Sequence, residues 1–192
     1  MLSGNLEYLI SSLPQLQFST SVEDKQRVHS VFQTYSMNDG DINLITVLDD
    51  EASKYLSAKK AEIFKQISLN TANHQRFQEH GDAVLSGFSS FLSNLKEKIK
   101  LLRLSRNQDT TYVSSPLEAL QLKPGNPLEE ELQLLELQWH ELEELSIGHF
   151  SDFSALIAYK IKLLLLQRLW SFDETEGFIQ YSKFIKITED NG

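Results

Sequence analysis

Residues 126–170, NPLEEELQLLELQWHELEELSIGHFSDFSALIAYKIKLLLLQRLW, join a helix with one apolar face to a helix that is apolar nearly all round. Wound at 3.6 residues per turn, Phe153, Leu156, Ile157, Ile161, Leu164, Leu165, Leu166 and Leu169 point to several sides. A helix with no free face has to be covered by other elements. The segment therefore predicts an all-α chain, an elongated helical bundle with a C-terminal antiparallel hairpin and a buried leucine-rich helix.

The first rod of that hairpin has a complete start signal. Asn126 stands as cap, Pro127 at the first helical position, Glu129 at the capping-box position, and Glu130 and Glu131 near the positive end of the dipole. Leu128, Leu132, Leu135, Trp139 and Leu142 follow at spacings of three and four, a seam for an antiparallel neighbour. SIGHFSD supplies the turn and Asp152 the next cap.

The rest of the chain also leans helical. Eight glycines and four prolines in 192 residues are few for a sandwich or barrel with many tight turns. VEDKQRVHSVFQTY, capped by Ser21, carries Val28, Phe32 and Tyr35 at helical spacing. Beyond the breaker MNDGD, a short helix is expected to carry Ile42, Ile45 and Leu48, and another over residues 58–69 to carry Ala61, Phe64 and Ile67. A long helix over 82–104 aligns Val84, Phe88, Phe91, Leu92, Leu95, Ile99 and Leu102. Pro116, Pro124, Gly125 and Pro127 then break the periodicity, so a loop is expected to join sub-parts 1–104 and 117–192 of a single domain spanning residues 1–192. Phe178, Ile179, Tyr181 and Ile185 mark a final amphipathic helix.

Charge and cysteine content narrow the function classes. A net charge of -9 argues against broad phosphate-backbone binding, hence against nucleic acid. No cysteine is present, which removes thiol nucleophiles and thiolate metal sites and fits a reducing compartment. The first residues lack the basic region and small-residue cleavage site of a secretory signal, so a cytoplasmic location is expected. ALIAYKIKLLLLQRLW holds Lys160, Lys162 and Arg168 and is too short to cross about 30 Å of hydrocarbon unaided.

Catalytic and nucleotide-binding signatures do not assemble: there is no nucleophile elbow, no phosphate loop and no glycine-rich dinucleotide turn. The expectation is a non-enzyme with no cofactor and no small-molecule substrate. Glu136, His140 and Glu144 are spaced four apart on one helix, but a carboxylate metal site needs Glu-x-x-His on two helices, and no such pair exists. No metal is expected.

What remains points to contacts with other proteins. Glu129, Glu136, His140, Glu143 and Glu144 share an arc of roughly 100°, either a solvated face or one that steers a basic partner. Lys96, Lys100 and Arg103 form a basic arc on the long helix, where a solvated face complementing the dipole is the simpler reading. His149, beside Gly148 in the turn, either hydrogen-bonds a helix end or meets a partner. Trp139 reads as core on the seam.

Two blocks resemble a bacterial family of otherwise uncharacterised proteins encoded with V/A-type ATPase subunits, and behind it the central-stalk socket subunit, called C in archaeal and d in eukaryotic complexes. One is LEYLISSLPQLQF, similar to a tyrosine-rich start followed by a SLP-L-F pattern. The other is the hairpin, where Asn126, Pro127, Leu128, Glu129, Trp139, Glu144, Leu145, Gly148, His149, Phe150, Ala158, Tyr159, Leu163 and Arg168 carry the likeness. The resemblance implies an all-helical, non-catalytic component between the rotating shaft and the membrane ring. Its partners would be other subunits of the ATPase, and it would meet the membrane only through the complex. The socket subunit is longer and built from repeated helical units, so an accessory or reduced version is implied. The competing reading is a free-standing helical adaptor that binds another protein through the acidic face or the basic arc.

Overall fold

The computed structural model describes residues 6–36, 42–107, 122 and 126–172. Among them are eight helices and no strand: α1 (Leu6–Ser12), α2 (Val22–Tyr35), α3 (Leu44–Ser53), α4 (Ala58–Gln66), α5 (Gln75–Gln78), α6 (Ala83–Asn107), α7 (Pro127–Leu145) and α8 (Phe153–Trp170). The fold is an all-α bundle. The predicted final helix around Phe178 and the connector around Pro116 lie outside the described residues.

Local chemistry sets the helix starts. The Ser21 hydroxyl accepts from the Asp24 amide, and Asn43 from the amides of Ile45 and Thr46. Asn126 accepts from the Glu129 amide at 2.9 Å while its own side-chain amide donates to Glu129 Oε1 at 3.0 Å, a reciprocal cap. Asp82 accepts from the Leu85 amide at the head of α6 and also takes the Ser154 hydroxyl of α8 at 2.7 Å, so one carboxylate caps one helix and fixes another against it.

α8 is the hub. It packs against α1, α3, α6 and α7, and Leu156, Ile157, Ile161, Leu163, Leu165 and Leu166 are fully enclosed. Leu164, expected among them, is only partly buried. The cross-contacts from α7 run in opposite order along α8, Glu131 meeting Arg168 and Glu143 meeting Lys162, as antiparallel rods require. Buried side chains from Leu9 to Leu169 form one contiguous core cluster.

Three boundaries differ from expectation. In α3 the buried stripe is Leu44, Leu48 and Ala52, with Ile42 ahead of the helix, because the Asn43 cap starts it one residue after. α4 ends at Gln66, and Ile67 is buried in extended backbone, where a turn tied by the Thr71 hydroxyl to the Gln66 carbonyl takes over. α6 continues past residue 104 to Asn107.

Candidate docking surface

Beside the core, the segment after α1 lies as a strap on α7 and α8. Tyr159 donates its hydroxyl to the Pro14 carbonyl at 2.9 Å, and Trp170 donates its indole N–H to the Ser19 carbonyl at 2.9 Å. Tyr35 of α2 donates to the Ser12 carbonyl at 2.9 Å, and the Phe18 ring meets Trp139 at 5.5 Å between centroids. Burial pushes the Tyr159 hydroxyl far above its ordinary value, so it stays a donor across the physiological range. The opening segment and the α7–α8 hairpin therefore touch, although more than a hundred residues separate Phe18 from Asn126.

The polar side of α7 divides into groups that brace the helices and groups left exposed. Trp139 is buried at 4% exposure and donates its indole N–H to Glu143 at 2.9 Å. Glu143 also lies 3.7 Å from Lys162 Nζ and 3.5 Å from His140 Nδ1. Lys162 stands over the Trp139 ring, and burial lowers its ammonium below the ordinary value despite Glu143. Glu143 is thus a clamp between helices as much as a member of the acidic face. Glu129 is held by its capping role, while Glu136, His140 and Glu144 are exposed, with His140 at 4.0 Å from Glu136.

At the α7–α8 turn the chain reverses through Gly148 at φ 87°, a conformation that costs residues with a Cβ. His149 pairs with Asp152 at 2.6 Å between Nδ1 and Oδ2, and Asp152 Oδ1 caps α8 by accepting from the Ala155 amide at 2.8 Å. Partial burial pushes the Asp152 carboxyl up, but the hydrogen bonds from His149 and Ala155 outweigh it and hold the group below its ordinary value. The geometry agrees with the simpler reading of His149, a ring bonded to a helix end. The same turn presents Phe150 at 81% and Ile147 at 71% exposure. Two large apolar side chains are thus held out from a braced loop.

Lys96, Lys100 and Arg103 come together on one lip of a groove of about 520 Å³ between α6 and α7, whose other wall includes Glu131, Leu134 and Gln138. The acidic face and the basic arc are therefore separate surfaces. Among the described residues no group of three His, Asp or Glu side chains is arranged to hold a metal, and no helix is long and apolar enough to cross a membrane.

Compared with protein-family models, with curated proteins and with solved structures, the chain matches none.

Sequence reasoning missed Lys160 and the turn's two apolar residues. In the sequence Lys160 reads only as a charge that opposes membrane insertion, yet its side chain is fully enclosed, with Nζ 2.6 Å from Asp49 Oδ1 and 2.6 Å from the Phe64 carbonyl. A lysine in the middle of a helix apolar nearly all round was the available signal. For the turn, the signal was two large apolar residues, Ile147 and Phe150, three positions apart among Ser, Gly and His.

Proposed function

We propose that this chain is a non-catalytic helical subunit of a V/A-type rotary ATPase, an accessory or reduced relative of the central-stalk socket, in contact with the membrane only through the complex. The observation that carries a docking role is the exposure of Phe150 and Ile147 on a turn braced by Gly148 and the His149–Asp152 pair. An aromatic anchor already held in place loses little conformational entropy on binding, which is how a few residues come to dominate an interface. The exposed Glu136, His140 and Glu144 lie on the helix that leads into this turn and suit a partner with a basic rim. The assignment to a rotary ATPase rests on the two blocks of family likeness.

The test is recovery of the tagged full-length chain from its own cells, quantified for rotary ATPase stalk subunits against a Phe150→Ala variant. Stalk subunits are expected with the parent chain and are expected to fall at least tenfold with the variant. Thermal unfolding should leave the variant within about 0.5 kcal/mol of the parent, as for a surface change. Recovery of unrelated clients favours the free-standing adaptor, for which the exposed acidic face of α7 is the supporting observation.

A further inference from the structure

Two surfaces of complementary character lie toward the two ends of α7. At the C-terminal end Ile147 and Phe150 stand out from the braced turn, and Glu141 and Glu144 lie on the closing turns of the helix that leads into it. Neither glutamate makes an ion pair among the described residues. Toward the other end is the α6–α7 groove, where Leu95, Ile99 and Leu134 form an apolar floor beneath the cationic lip of Lys96, Lys100 and Arg103. Lys100 reaches Glu97 only at 3.8 Å, in a pair exposed to water on both sides. Lys96 and Arg103 make no ion pair among the described residues. Glu131, on the opposite wall, is taken by Arg168.

The groove thus suits an apolar protrusion that carries acids, and the turn suits an apolar hollow rimmed by cations. Within one chain they cannot meet. Leu134 and Ile147 lie about 20 Å apart at 1.5 Å per residue, and Gly148 with the His149–Asp152 pair holds the turn in place. Between two chains they can. A net charge of -9 sets copies of this chain against each other over most of their surface, which leaves the basic lip as the place where an acidic turn finds attraction.

We infer that the α7–α8 turn of one copy seats in the α6–α7 groove of a second copy, with Phe150 and Ile147 on Leu95, Ile99 and Leu134 and with Glu141 and Glu144 against Lys100 and Arg103. A buried aromatic contributes about 150–250 Å², so the turn and its rim fall short of the roughly 1,200 Å² of a stable interface. The association is therefore weak and depends on concentration. Where the chain is concentrated it covers its own anchor, and any partner that takes the turn has to displace the second copy. This assignment does not depend on the rotary ATPase reading.

Sedimentation velocity of the purified full chain, from micromolar to millimolar concentration, tests the pairing. The parent should associate as its concentration rises. Phe150→Ala should stay monomeric over the same range, and so should Lys100→Glu combined with Arg103→Glu, with far-ultraviolet dichroism and thermal unfolding establishing that both keep the fold. An equimolar mixture of the two variants should regain association, since one supplies an intact groove and the other an intact turn. Lys59→Glu with Lys60→Glu, which alters the net charge equally but on α4, should associate like the parent. A parent that stays monomeric overturns the inference. So does association that survives the turn change or the groove change, a mixture that stays monomeric, or loss of association in the α4 control. The groove variant keeps its turn, so its recovery of stalk subunits tests the rotary ATPase reading separately.

Discussion

An ammonium taken out of water loses several kcal/mol of hydration, and Lys160 recovers part of it from three groups on two residues. Asp49 of α3 supplies a carboxylate and Phe64 a carbonyl near the end of α4, where the negative end of the dipole favours a cation. The Phe64 ring lies 4.6 Å beneath the same nitrogen. Burial nevertheless wins at both members of the pair, lowering Lys160 from its ordinary 10.5 and raising Asp49 from its ordinary 3.8. Below 10.5, down to the lowered value, the unfolded chain holds a proton that the folded one has released, so stability rises with pH through that window. Above 3.8, up to the raised Asp49 value, the folded chain holds the extra proton and stability falls with rising pH. Lys160→Met should reduce the alkaline rise, to which Lys162 also contributes, and cost about 3 kcal/mol, since it strands Asp49. Lys160→Met with Asp49→Leu should cost less than Lys160→Met alone, because it leaves no buried charge without its partner. Urea unfolding followed by dichroism at several pH values measures both; a double variant as unstable as the sum of the singles would refute the coupling.

Helices that declare their own ends were legible from the order of residues alone. Ser21, Asn126 and Asp152 act within three residues of themselves, and each caps where its spacing predicts. α1 and α5, of seven and four residues, carry too few turns for a periodicity to register. The strap was legible only as a pattern, because its partners Tyr159 and Trp170 are distant in sequence and no local rule pairs them. Of the candidate site, the acidic face and basic arc could be read from helical spacing, whereas the braced apolar turn depends on exposure, which composition does not reveal. The α6–α7 contact also eluded a reading by apolar stripes, for part of it is made at a glycine. A Cβ placed on Gly87 would come within 2.8 Å of Leu145 Cδ2. That atom ends a partly exposed side chain, so Gly87→Ala should change stability by less than about 1 kcal/mol, the gain in helix propensity offsetting a small shift. Gly87→Leu has no such escape and should cost about 1 to 3 kcal/mol by forcing the helices apart. Thermal denaturation of the two variants discriminates, and equal stability would mean the helix pair closes less tightly than the contact implies.

At the scale of the whole molecule the question is whether the strap belongs to the same cooperative unit as α8. Leu9 and Leu13 lie in the same buried cluster as Ile157 and Leu165, which favours one unit. The hydrogen bonds from Tyr159 and Trp170 reach carbonyls in a segment with little helix of its own, so that its order depends on α8 more than α8 depends on it. Tyr159→Phe keeps the ring and removes one donor, and Trp170→Phe removes one donor while keeping a smaller aromatic ring, at about 1 kcal/mol apiece. If strap and hub unfold together, the double variant should speed hydrogen exchange of the slowest α8 amides by roughly thirtyfold, the factor that about 2 kcal/mol implies, and residues 6–18 should exchange no faster than those amides. Acceleration confined to residues 6–18, with α8 unchanged, would instead make the strap a separately opening element. The proposed role in a rotary ATPase would need a single unit, because a strap that opened independently would let the α7–α8 turn yield before a load reached the core.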